Sequence, residues 1–298
     1  MDFRFTEDQQ DLIDAAKAFF DGENTVDRMR AMVAGEDVTD LWPQMGQLGL
    51  LGLMAPESAG GLEQPLVVMA GIAEVAGYAG LSEPYIEIAG ITVPHATAEE
   101  LTGFIRRAMH SDLRPYIQAS LKVEGEAVQS IDPLRHLVKV HAGNDENIES
   151  INLHGAVLTA AQLIGLSQRM VDMSVDYAKD RHQFGKPIGS FQAIKHQLAN
   201  VYTQIEFTRP IIHLAALKGG AAVHNAKVAA NDTAMLAAET AIQVHGGMGY
   251  TYEVDLHLFM KRAWALCGEW GDRNYHMKKL EDYVLTGDVE LGPGHTFA

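Results

Sequence analysis

Two stretches decide how this chain is read: Gln243-Val-His-Gly-Gly-Met-Gly-Tyr-Thr251 and, upstream of it, Arg181-His-Gln-Phe-Gly-Lys-Pro-Ile188. Gly246, Gly247 and Gly249 remove side chains where a phosphate or an adenine edge would otherwise be held away from the backbone. Gln243 adds amide donors and an acceptor suited to an adenine or ribose edge. In the upstream stretch Gly185 frees the backbone and Pro187 fixes the turn after it, so that Arg181 faces an anion. Each has a plainer alternative on its own: His-Gly-Gly as a helix C-cap, Arg181 as a salt-bridging helix end.

Around these motifs the 298 residues read as helix. Thr6 caps a first helix through Phe20, with Leu12, Ala15, Ala16 and Phe19 on one face. A second helical stretch surrounds Leu41, Trp42 and Met45. Pro56 breaks the apolar run from Leu48 to Met54, Gly60-Gly61 turns the chain, and a third helix runs from Pro65 to about Ala79 between Gly77 and Gly80. From about residue 155 the signal strengthens. Val157, Ala161, Ile164, Gln168, Val171 and Val175 recur at helical spacing along Ala156 to Lys179. Ser190 is expected to cap the next helix, which heads towards Pro210, and a further helix carries Ile211 to Leu217. Alanine-rich Asn225 to Val244 and the segment from Leu256 to Val284 complete a bundle.

Residues 86–150 differ. Thr97 to Glu100 starts a helix with Leu101, Phe104 and Ile105 on its stripe, and Tyr116–Val123 and His136–His141 mix β-branched and polar residues as half-buried strands do. The expected division is therefore 1–85, an N-terminal helical domain; 86–150, a reduced middle segment; and 151–298, a C-terminal helical bundle.

Composition narrows the functions. A formal charge of −16 speaks against nucleic-acid binding, which needs a basic surface. A single cysteine, Cys267, excludes a disulfide framework. With no signal pattern and no spanning apolar run, a cytoplasmic protein that does not enter membranes is expected. The histidines show no spacing suited to a metal site, and none is expected.

The two motifs, with Phe191-Gln192-Ala-Ile-Lys-His196 after the first and Ala238 to Ile242 and Tyr250 to Glu253 around the second, resemble the FAD-contacting motifs of the acyl-CoA dehydrogenases. The order of the N-terminal elements is similar to that family too. The resemblance covers nearly the whole chain and implies a mainly α fold with a C-terminal four-helix bundle. It also implies FAD as cofactor, held by Arg181, Gln183, Phe184, Phe191, Gln192, Gln243, His245, Gly246 and Gly247 across a subunit interface.

In that family a glutamate removes the α-proton of an acyl-CoA thioester while flavin N5 accepts the β-hydride. The resemblance places the glutamate at one of two positions, and this chain has Trp270 at one and Gly155 at the other. Glu269, one residue short, is the remaining candidate, with a solvated helix carboxylate as its plainer reading. The middle segment also lacks the Thr-Glu-Pro and Gly-Ser-Asp stretches that lie against the flavin ring. Asp132-Pro-Leu-Arg-His-Leu-Val resembles only the closing part of that domain.

Together these features resemble the short subunit of heterotetrameric, α2β2, steroid side-chain dehydrogenases. A larger partner subunit would supply the flavin-ring contacts and the base, and electron-transfer flavoprotein or a similar acceptor would take the electrons. The acyl-CoA would then carry a bulky chain, of the kind found in steroid and cholesterol catabolism. Two other readings stay open: a self-sufficient homomeric dehydrogenase using Glu269, and a non-catalytic scaffold for a partner dehydrogenase.

Overall fold

A computed structural model describes residues 4–95, 126–135, 137–139 and 148–287 of the chain. Helix α1 spans Glu7–Glu23, and Thr6 opens it with a reciprocal capping box: its hydroxyl accepts from the Gln9 amide while the Gln9 side chain accepts from the Thr6 amide. The buried face is Ile13, Ala16 and Phe20. Ala15, expected on that face, is exposed, because the stripe lies one position further round. A short α2, Val26–Val33, was not anticipated: Met29 is its one buried residue, and Thr25 caps it by accepting from the Arg28 amide. Next come α3, Trp42–Gln47, and α4, Leu66–Ala79. Gly77 lies inside α4 rather than bounding it, and Gly80, with φ of +64°, ends it.

Residues Ile86–Thr92 form a π-helical run whose Ile86, Ile88, Ala89 and Ile91 are buried in the same core as α4. Two short strands, β1 Glu126–Val128 and β2 Leu137–Lys139, pair antiparallel, with Ala127 opposite Val138. The strand expected over His136–His141 is seen at its centre as β2. The helix expected from Thr97 and the strand over Tyr116–Val123 lie outside the described residues.

Helix α5, Ile148–Asp180, is the axis of the molecule, and α4, α6, α7 and α8 all pack on it. Its expected stripe is in place, with Val157, Ala161, Ile164 and Val171 buried. Helices α6, Gln192–Lys218, and α7, Ala221–His245, follow as an antiparallel pair joined by Gly219-Gly220. Two sequence expectations fail in α6. Phe191, not Ser190, occupies the N-cap and no side chain caps the helix; Ser190 ends a 3₁₀ turn over Ile188–Ser190. The helix also runs through Pro210 without breaking. Pro210 is exposed, so the hydrogen bond its missing N–H forgoes lies on the solvent side. The last segment divides into α8, Leu256–Cys267, and α9, Arg273–Thr286. The turn between them holds Trp270 and Gly271 at positive φ.

One hydrophobic core joins the N-terminal helices to the bundle. Its tightest point is the crossing of α4 and α5. A Cβ on Gly77 would run into the carbonyl oxygen of Gln162, and one on Gly165 into that of Glu74. The backbones touch there because neither residue has a side chain. Gly165→Ala is therefore expected to destabilise the fold by about 1–3 kcal/mol, outweighing alanine's better helix propensity. A lower urea midpoint at unchanged m-value is the readout.

Candidate functional site

The C-terminal end of α5 and the C-terminal end of α7 lie side by side, and this brings the two glycine-containing motifs together. Tyr177, Arg181, Gln183, Ile188, Val244, His245, Gly246, Gly247 and Met248 line one cavity of about 380 Å³. The first motif folds as a miniature hairpin, β3 His182–Gln183 against β4 Lys186–Pro187. Phe184 and Gly185 form its tip, both at positive φ. Closure of the hairpin by the Ile188 amide on the Arg181 carbonyl, at 2.8 Å, fixes the base of the arginine side chain. Arg181 is exposed, and among the described residues no carboxylate pairs with its guanidinium.

The second motif ends α7 in a way only glycine adopts easily. Gly246 has φ of +59° and ψ of −135°, and Gly246–Tyr250 continue as a 3₁₀ turn. Nothing lies within 4 Å of where a Cβ on Gly246 or Gly247 would stand, so both backbones face open space. His245 is fixed rather than reactive. Its Nδ1–H donates to the Ala241 carbonyl at 2.8 Å, its ring stacks on Tyr177 at 4.3 Å, and burial lowers its pKa. It is a neutral, packed imidazole in the cavity wall. Tyr177 was missed in the sequence; its signal was its place one helical turn before Arg181.

Four other expected residues stand around this cavity rather than in its lining. Phe184 is 90% exposed at the hairpin tip, edge-on to Phe191 at 6.1 Å. Lys186 sits over the Phe191 ring at 4.4 Å. Gln192 and Gln243 are exposed, on the first turn of α6 and the last turn of α7. The residues fit an adenine-diphosphate group: an unpaired guanidinium, open glycine backbone, and exposed aromatic and amide side chains around them.

A second cavity, of about 370 Å³, lies at the opposite end of α5. Glu149, Asn152, Leu153, His224, Trp270, Tyr275, His276 and Lys279 line it. Here Gly155 and Trp270 meet: the indole rests on Gly155, and a Cβ there would run into the ring. The turn carrying Trp270 is tied down from below by Lys227, which is fully buried. Its ammonium donates to Asn231 and to the carbonyls of Leu266, Cys267 and Gly271 at 3.0–3.3 Å. Burial lowers its pKa to about 8.

Glu269 sits in that turn and is ion-paired with Arg135, which also holds Glu87 at 3.0 Å. Burial raises the Glu269 carboxyl above the usual range, and the Arg135 guanidinium opposes that rise. The expected solvated carboxylate is thus a part-buried ion pair. It bridges the turn to the segment around Asp132, whose own carboxylate is buried against Arg262 at 2.7 Å. Glu239 and Glu253 are exposed.

A four-helix bundle fused to an N-terminal helical unit, with an arginine-and-glycine cradle at one end, is the architecture of an FAD-dependent dehydrogenase. The chain belongs to the acyl-CoA dehydrogenase family: residues 6–97 match the family's N-terminal domain and residues 148–280 its C-terminal domain. It is 30% identical over 270 residues to the acyl-CoA dehydrogenase IpdE2 of Mycobacterium tuberculosis, covering 79% of this chain and 84% of that one. In structure it is similar to a chain of the ChsE4-ChsE5 complex of M. tuberculosis, with a TM-score of 0.82 at 20% identity, over 95% of this chain and 99% of that one. A chain of the Tcur3481-Tcur3483 steroid acyl-CoA dehydrogenase gives 0.79 at 21% identity, over 94% and 98%. The family's enzymes are FAD-dependent oxidoreductases, and no helix among the described residues is long and apolar enough to cross a membrane.

The contact between Trp270 and Gly155 yields a direct test. Gly155→Ala leaves no room for the indole, so we expect a loss of about 1–3 kcal/mol in stability. A shifted tryptophan emission, absent from the same variant in a Trp270→Phe background, identifies the displaced ring.

Proposed function

We propose that this chain is one subunit of a heteromeric, FAD-dependent acyl-CoA dehydrogenase that introduces an α,β double bond into an acyl-CoA thioester. In this reading the chain divides into 1–85, 86–150 and 151–298, with the middle segment reduced. The observation that carries the reading is the placement of the two cavities. Gly155 and Asp180 are separated by 25 residues of one helix, roughly 37 Å at 1.5 Å per residue. The cradle at Arg181 and the place where the base would stand are thus too far apart to serve one reacting centre within one chain. The cradle therefore suits an FAD whose flavin ring lies on another subunit.

Bound FAD would supply the acceptor for the β-hydride. Toward it, Arg181 would neutralise the diphosphate, and the Gly246 and Gly247 backbone would admit its close approach. Gln183, Gln192 and Gln243 would hydrogen-bond the adenine and ribose edges, and Phe184 and Phe191 would pack beside them. His245 and Tyr177 form a rigid wall. Phe184 and Tyr250, 90% and 81% exposed, are rings of the kind that subunit interfaces cover.

The family resemblance puts Trp270 and Gly155 where a base would act, and Arg135 pairs with Glu269, so a larger partner subunit would provide the carboxylate and the flavin-ring contacts. This favours α2β2 assembly over a homomeric enzyme based on Glu269. Electron-transfer flavoprotein, or an acceptor like it, would reoxidise the flavin in the cytoplasm. We assign the substrate to bulky thioesters such as steroid side-chain CoA compounds, supported by the steroid acyl-CoA dehydrogenase among the structural neighbours.

Arg181→Ala is the test. In the co-expressed complex it should reduce bound flavin at least tenfold while leaving the assembly's mass unchanged. Unchanged flavin content would favour a scaffold role.

A further inference from the structure

Trp270 is held in a conformation that a tryptophan rarely takes. Its φ is +54°, in the left-handed region where a Cβ crowds the backbone. Strain of this kind persists only where the surroundings over-determine it. The indole is seated on Gly155. The Trp270 carbonyl oxygen lies 2.9 Å from Nε2 of His276, and Nδ1 of His276 lies 2.8 Å from Nδ1 of His224.

The first of these bonds determines the second. A carbonyl only accepts, so His276 carries a proton on Nε2 and, while neutral, offers a lone pair at Nδ1. The facing Nδ1 of His224 is then the donor, and the nitrogen left to His224 is Nε2, on a side chain that lines the second cavity. A first added proton goes to His224 Nε2 without disturbing the chain of bonds. A second proton, on His276 Nδ1, sets two N–H groups and two positive charges against each other, and the pair must part.

We propose that His276 and His224 are positioning residues: as a proton-sharing pair they hold Trp270 against Gly155, and double protonation releases the indole and reshapes the cavity. This holds whatever ligand the cavity takes.

Burial, more than the surrounding charges, keeps the pair locked at neutral pH. Burial lowers the pKa of both imidazoles, and His276 falls to about 4. Lys279 on α9 lowers His224 further, while Glu149 on α5 opposes it. Around His276, its own Trp270 bond opposes the fall, as does Asp272, the N-cap of α9; the His224 charge and Lys227 on α7 reinforce it. The Tyr275 ring packs edge-on against His276 at 5.1 Å. Because His276 binds its proton more readily unfolded, near pH 6.5, than folded, near 4, the folded chain loses stability as pH falls through that interval.

The experiment uses the full chain and the difference in emission between it and its Trp270→Phe variant. The Trp270 spectrum should stay constant from neutral pH down to about 4 and then shift to the red, with the helical circular dichroism retained. In His276→Gln the amide still donates to the Trp270 carbonyl, so the neutral spectrum should persist while the acid step disappears. The fall in stability between pH 6.5 and 4 should flatten in the same variant. His276→Leu should show the released spectrum at neutral pH. An acid step that survives in His276→Gln, or a native Trp270 spectrum in His276→Leu, would overturn the proposal.

Discussion

Everything in this molecule hangs on the length of α5 and on its contact with α4. The two helices touch backbone to backbone at Gly77 and Gly165, which fixes the N-terminal unit against the bundle. Because α5 then continues to Asp180 as one element, it places the Trp270 turn beside its first turns and the anion cradle beside its last. A helix transmits position over that span with little loss, so the two ends are rigidly related while being chemically independent.

The two ends are built on opposite principles. The cradle is open: the Arg181 guanidinium has no partner among the described residues, the glycine backbones face empty space, and aromatic rings stand exposed around them. At the other end the polar groups satisfy one another. Lys227 is enclosed by carbonyls, Arg135 joins Glu87 to Glu269, and the imidazoles of His224 and His276 share a proton. There, too, the Trp270 indole rests on Gly155.

Much of this could be read in the sequence because the signals were local. The capping box at Thr6, the stripe of α5 and the glycine stop at Gly80 each depend on residues within a turn or two. The turns at Gly185 and Gly246 were legible for the same reason, since each motif carries its own glycine. The failures came where tertiary contacts override local preference. Pro210 was expected to break a helix, yet its solvent-facing position lets α6 pass through. Ser190 has a good capping side chain, but the 3₁₀ turn takes it before the helix begins. Glu269 read as a solvated carboxylate because its partner, Arg135, lies far away along the chain. The His224–His276 pair and the burial of Lys227 had no local signature at all.

The proposed function has this chain holding one half of a shared flavin site. Flavin absorbance and native mass, measured for the chain alone and then co-expressed with a candidate larger subunit, decide it. A colourless chain alone and a yellow α2β2 tetramer with FAD at about half the number of subunits are expected. Stoichiometric FAD in the isolated chain would contradict it and return the role of base to Glu269.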